Sequence, residues 1–203
     1  MKPGFLLSIL IMMLAVSCDT IGSLQPLTKN PSDLKYDPAL AGRWEEMDSP
    51  GEVYVISGAS DPSEKYYHCT ILPKSKPDED TLYFMVRLIH LSGLNYLDCW
   101  YNLEHEGNAN KELENYNVPR HFFYKINIIT QDTVELYTPD FEAIRNLVNN
   151  GNLDLQIANL SSLDSEEDYL VTSEPEELQK ALKESEKYAA EVYKEKTTLI
   201  RVR

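Results

Sequence analysis

Apolar and polar residues alternate in short runs from Arg43 to Tyr137, and turn-forming residues separate the runs. A period of two is that of a half-buried β-strand. Residues 43–47 and 53–57 form the first pair, with Asp48-Ser49-Pro50-Gly51 as the break between them. Residues 65–72 follow, rich in the strand-favouring types Tyr66, Tyr67, Thr70 and Ile71. Residues 73–80 read as a loop, and 81–91 as the clearest strand of the chain. Ser92-Gly93 turns it into 95–103. Residues 104–118, with Gly107, Asn108, Asn110, Asn115 and Asn117, read as a long polar loop. Residues 121–129 and 133–137, joined through Thr130-Gln131-Asp132, read as a β-hairpin.

The period then changes. Residues 139–149 place Phe141, Ile144, Leu147 and Val148 on one helical face, with Thr138 as cap, Pro139 at the first turn and Gly151 as stop. Residues 174–194 read as a second helix with Leu178, Leu182, Ala189 and Val192 as its stripe. Ser173 and Glu176 have the spacing of a capping box. Acids gather at the start of this helix, and Lys187, Lys194 and Lys196 at its end, which complements the helix dipole. Residues 169–172 and 197–203 complete the strands. Strands come first and helices late. The expected class is therefore α+β: an antiparallel, curled or partly closed β-sheet with two late helices packed on it.

The first residues follow a different rule. Lys2 precedes an apolar run over 5–16, and Ser17-Cys18 ends it, which is the layout of an export signal. The run is shorter than the ~20 residues that a spanning helix needs. Residues 19–38, punctuated by Thr20, Ser23, Pro26, Pro31, Ser32 and Pro38, have no sustained apolar period. The expected division is a signal peptide over 1–17, a lipid anchor and flexible tether over 18–38, and one β-rich globular domain over 39–203.

Leu14-Ala15-Val16-Ser17-Cys18 resembles the lipobox of bacterial lipoproteins, departing from it at Ala15, where leucine is commonest. The resemblance implies cleavage before Cys18, lipidation of its sulfur and a place in the cell envelope, facing the periplasm or exterior. Leu40-Ala41-Gly42-Arg43-Trp44, the block from His121 to Leu136 and Tyr169-Leu170-Val171-Thr172-Ser173 are similar to segments of uncharacterised envelope lipoproteins. Gly42-Arg43-Trp44 also resembles the Gly-x-Trp opening of the lipocalins, barrels that bind apolar ligands. That likeness implies a basic residue of the last strand, Arg201 or Arg203, packed across Trp44. The alternative for Trp44 is a core plug at one end of a sheet.

Charge narrows the partners. The chain carries 19 Lys+Arg against 33 Asp+Glu, a net charge of −14, and loss of residues 1–17 with Lys2 makes it −15. Such a balance repels nucleic acid and anionic lipid surfaces, and no basic cluster offsets either. Cys69 and Cys99 leave two readings. An oxidising compartment permits a disulfide. Strands that flank a common neighbour set the cysteines about 10 Å apart, beyond bridging distance, which leaves two buried thiols.

Catalytic patterns are missing. His68, His90, His105 and His121 have no metal-pair spacing, and Gly58-Ala59-Ser60 lacks the second glycine of a nucleophile elbow. The acid neighbours Glu45/Glu46 and Glu166/Glu167 read as solvated. The 13 tyrosines suit half-buried sheet faces and also contact surfaces. The expectation is no enzyme, no cofactor and no metal. Two readings remain: a non-enzymatic binding or assembly module, held at the membrane by lipid with an envelope protein partner, and a lipocalin-like carrier of a small apolar ligand.

Overall fold

The computed structural model of the protein describes residues 22–59, 61–74, 81–102, 120–159 and 169–202. Two short strands, β1 (Gly22–Ser23) and β2 (Leu34–Lys35), precede a run of seven: β3 (Gly42–Glu46), β4 (Glu52–Gly58), β5 (Tyr67–Pro73), β6 (Leu82–Leu91), β7 (Leu94–Tyr101), β8 (His121–Thr130) and β9 (Thr133–Thr138). Helix α1 (Phe141–Asn149), strands β10 (Ile157–Asn159) and β11 (Tyr169–Val171), helix α2 (Pro175–Ser185) and strand β12 (Glu195–Val202) follow.

Strands β3 to β9 pair in chain order, each antiparallel to the next. β12 returns between β9 and β3. The sheet therefore closes on itself through eight strands, where the sequence pattern foresaw a curled or partly closed one. Closure satisfies the backbone groups of what would otherwise be two edges. Ser92 and Gly93 form the β6–β7 turn with φ of 51° and 87°. Positive φ at both central residues is what a tight hairpin needs.

Closure also sorts the side chains. Trp44, Tyr67, Cys69, Val86, Leu88, Leu97, Cys99, Ile126, Val134 and Leu199 share one buried cluster inside the barrel. The opposite face of β6–β8 supplies Ile89, Tyr96 and Phe123 to a second cluster. There they meet Ile144 and Leu147 of α1 and Leu178 and Leu182 of α2. The alternation seen in the sequence thus serves two cores, one within the wall and one outside it.

The helices differ from expectation at their ends. Asp140, not Thr138, caps α1, accepting from the Ala143 N–H at 2.8 Å. The second helix does not run unbroken to 194. It ends at Ser185, tightens into a 3-10 turn at Glu186–Tyr188, and adds only Ala189–Val192. The Ser173–Glu176 box does not form: the Ser173 Oγ accepts from the Gln156 N–H at 2.8 Å, and no side chain caps α2. Tertiary pairing has taken the hydroxyl that a local cap needs.

The larger correction concerns the tether. Residues 22–38 are packed against the body. β1 pairs with β8 and, in parallel, with β11; β2 pairs with β6. Leu27 is fully buried in the outer core, and Ser23 and Thr28 are buried beside it. We term this segment the strap. It crosses the outer wall from the end of the barrel where β8 begins to the end where β3 begins. Prolines shape its course but do not free it.

Candidate functional site

The closed end, or floor, is built from Gly42, Trp44 and Arg201. Register places Arg201 beside Trp44, and the guanidinium carbon lies 4.2 Å from the indole centroid. The same guanidinium donates from Nη1 to the Ala41 carbonyl at 2.8 Å, from Nη2 to the Ala39 carbonyl at 2.5 Å, and from Nε to the Gln131 carbonyl at 2.9 Å. Fixed donors and a stacked face use the planar fork in a way that lysine cannot copy. The indole Nε1 donates to the Leu40 carbonyl at 2.9 Å. Leu40 belongs to the 3-10 turn Pro38–Leu40, which Asp37 caps through the Ala39 N–H. Gly42 has φ of +152°, and a Cβ there would collide with Arg201 Nη1. The glycine of the Gly-x-Trp pattern is thus required by the close approach of the arginine.

Above the floor the lumen is apolar and aromatic. Tyr67 is fully buried and stacks on Tyr36 at 5.2 Å. Its hydroxyl accepts from the Asp37 N–H at 2.6 Å, and burial pushes its pKa up to about 12. Cys69 and Cys99 are buried free thiols on β5 and β7, the strands that flank β6. Burial pushes the Cys69 thiol up to about 12 and raises Cys99 as well, so neither forms a thiolate near neutrality.

The other end is the mouth. There the inward-facing Tyr54, Ile71, Phe84, Tyr101, Phe122 and Leu136 are only half-buried. Phe84, Tyr101 and Phe122 form a chain of ring contacts, 4.6 and 5.8 Å between centroids. Two carboxyls interrupt this surface. Glu46, expected in solvent, accepts from the Tyr54 hydroxyl at 2.8 Å. Burial, with Glu46 nearby, raises Glu52 to about 7. Glu45, next to Glu46 in sequence, faces outward to Lys74 at 2.8 Å. Adjacency in a strand therefore split the Glu45/Glu46 pair across the wall.

The remaining predicted groups lie apart. His68 packs edge-on to Tyr66, and His90 contacts Asn95 at 2.8 Å. The His121 Nδ1 lies 2.6 Å from Asp98. No cluster of three potential metal ligands occurs among the described residues. Cys18, Ser60, His105, Glu166, Glu167 and Arg203 lie outside the described residues.

Two groups were not legible in the sequence. Asp98 is fully buried on the outer wall, where its carboxylate accepts from the Leu27 N–H at 3.1 Å as well as facing His121. A buried carboxylate needs such donors, and here they pin the strap. Its only signal was an acid within an apolar strand. Glu52 is the other. It opens β4 beside a turn, where an acid ordinarily meets water.

A concavity of about 340 Å³ opens on the surface beside α1 and is lined by Glu142, Asn146, Asn150, Asn152, Tyr188 and Lys194. It is a polar surface cleft, and most of these side chains are exposed. No family model, no curated protein and no solved structure matches the chain.

Proposed function

We propose that this protein is a lipid-anchored envelope carrier whose barrel holds a small apolar ligand. The observation that carries the reading is the difference between the two ends of the lumen. The floor is sealed by Trp44 under Arg201, while inward-facing aromatic side chains at the mouth remain half-buried. An eight-stranded barrel has room for its own side chains or for one small ligand. Its floor resembles that of the lipocalins in three residues, Gly42, Trp44 and Arg201. Phe84, Tyr101 and Phe122 would contact the ligand. Glu46, Glu52 and the Tyr54 hydroxyl would orient any polar end, as a few polar groups do in mostly apolar sites. The ligand-binding role needs no catalytic group. Placement in the envelope rests on the export signal and on Cys18 as the lipid-bearing residue. Two acyl chains on that sulfur suffice for stable anchoring.

Indole emission tests the carrier. The chain has two tryptophans, so Trp100→Phe assigns the signal to Trp44. Titration with fatty acids and unrelated apolar compounds, below their aggregation limits, is expected to give saturable quenching or a blue shift. A flat response across all of them defeats the carrier and leaves the binding or assembly module.

A further inference from the structure

The sequence pattern predicts one helix over 174–194, and the structure breaks it after Ser185. The chain beyond the break forms the second bank of the cleft beside α1. On the first bank Glu142 and Asn146 of α1 and Asn150 at its end are spaced by four residues, which aligns them on one helical face. On the second, Tyr188, Glu191 and Lys194 are spaced by three, through the 3-10 turn and the short helix Ala189–Val192. Gly151, with φ of 71°, turns the chain so that Asn152 joins the lining, its N–H donating to the Leu147 carbonyl at 2.8 Å. Ala143 and Leu147, both buried, line the cleft beneath. A volume of about 340 Å³ is that of a small-ligand site.

The residues of this lining are not explained by the helix they sit on. Asparagine is a weak helix former because its side chain competes for backbone groups. Asn150 and Gly151 end α1, which accounts for them. Asn146 lies inside the helix, and its exposed amide bonds nothing among the described residues. The same holds for the side-chain amides of Asn150 and Asn152. Three carboxamides thus border one cleft, each with donors and an acceptor to offer. The charges there are mostly spent. Glu142 pairs with Arg145 at 2.6 Å, and Lys194 with Asp140 at 3.0 Å. Among the described residues the lining therefore offers no unpaired cation, and Glu191 adds a carboxylate.

These properties exclude ligand classes in turn. An anion meets cations already paired and a further carboxylate. An apolar molecule meets polar walls. A peptide strand finds no sheet edge, because both banks are helical. A neutral molecule with many hydroxyls fits: each hydroxyl donates and accepts, as each amide does. Its C–H face can lie on the ring of Tyr188, which is half-buried. We propose that the cleft between α1 and residues 188–194 binds a neutral saccharide, with Asn146, Asn150 and Asn152 bonding its hydroxyls and Tyr188 stacking on a sugar ring. The site lies outside the barrel and stands apart from the lumen and its ligand.

Saturation-transfer difference NMR tests the site on the full-length protein, held in a detergent without a sugar headgroup. The probes are maltotriose, cellotriose and N-acetylchitotriose, each taken to millimolar concentration. Trigalacturonate serves as the anionic comparison and a Gly/Ser hexapeptide as the peptide comparison. At least one neutral trisaccharide is expected to bind, and neither comparison. Asn146→Ala should weaken that binding about tenfold. Its melting temperature should equal or exceed that of the parent, since alanine is the better helix former. Asn152→Ala lies outside the helix and should weaken binding to a similar extent, as should Tyr188→Leu. Absence of transfer to every neutral trisaccharide overturns the proposal. So does binding that survives both Asn146→Ala and Asn152→Ala, and so does binding of trigalacturonate or the hexapeptide at comparable affinity.

Discussion

Glu52 is held at the mouth in conditions that favour its neutral form. Burial is the main cause, and the carboxylate of Glu46 adds to it. A carboxyl raised from 4.5 to about 7 binds its proton more tightly in the folded chain than in the unfolded one. Its contribution to stability is therefore complete below pH 4.5 and is lost as pH rises through 7. Because Glu52 is only half-buried, solvent screening cuts the effect to about 1 kcal/mol. Glu52→Gln should abolish this loss and raise the melting temperature at pH 8 by about 2–4 °C, while leaving it little changed at pH 4. Thermal melts across that range check the prediction, and a variant that follows the parent at every pH disproves it. Near Arg201 the logic differs. The stacking of its guanidinium and the three carbonyl contacts are geometric.

At the scale of elements, the strap is where local and tertiary reasoning part. It contains only four residues of paired strand, yet Leu27 is fully buried and its N–H donates to a buried carboxylate. Gln179 of α2 donates to the Leu27 carbonyl at 3.0 Å, so the strap is held from the helix side too. Leu27→Ala should destabilise the protein by about 2–4 kcal/mol, as expected for a leucine removed from a packed core. Chemical denaturation measures it. A flexible tether would tolerate the change without loss. The helices carry a related lesson. Their apolar faces predicted that they pack on a sheet, and α1 and α2 do so on the outer wall of β6–β8. Their ends did not follow prediction, because Asp140 and the Ser173 Oγ found partners according to the fold around them.

At the scale of the whole molecule, the proposed lipid anchor on Cys18 is open to a direct test. Cys18→Ala should move the protein from the detergent phase to the aqueous phase on fractionation; unchanged partitioning rules the anchor out. The barrel itself was partly legible in the chain. Alternation over 43–137 marked the seven consecutive strands to within a residue or two, because a period of two records which side chains are buried. Gly42-Arg43-Trp44 and a basic residue near the end of the chain marked the floor. Closure was not legible. It depends on β12 reaching both β9 and β3 across about 60 and 150 residues of sequence, and no local pattern records so distant a pairing. The same holds for the strap and for Glu52. A short segment without periodicity gains its burial only from the surface it lands on, and an acid beside a turn is desolvated only when a barrel closes around it. Sequence alone determined which residues alternate and where the chain turns. Tertiary structure decided which face became a lumen, which became a second core, and where on the wall the strap lies, since each of these is set by contacts between residues far apart in the chain.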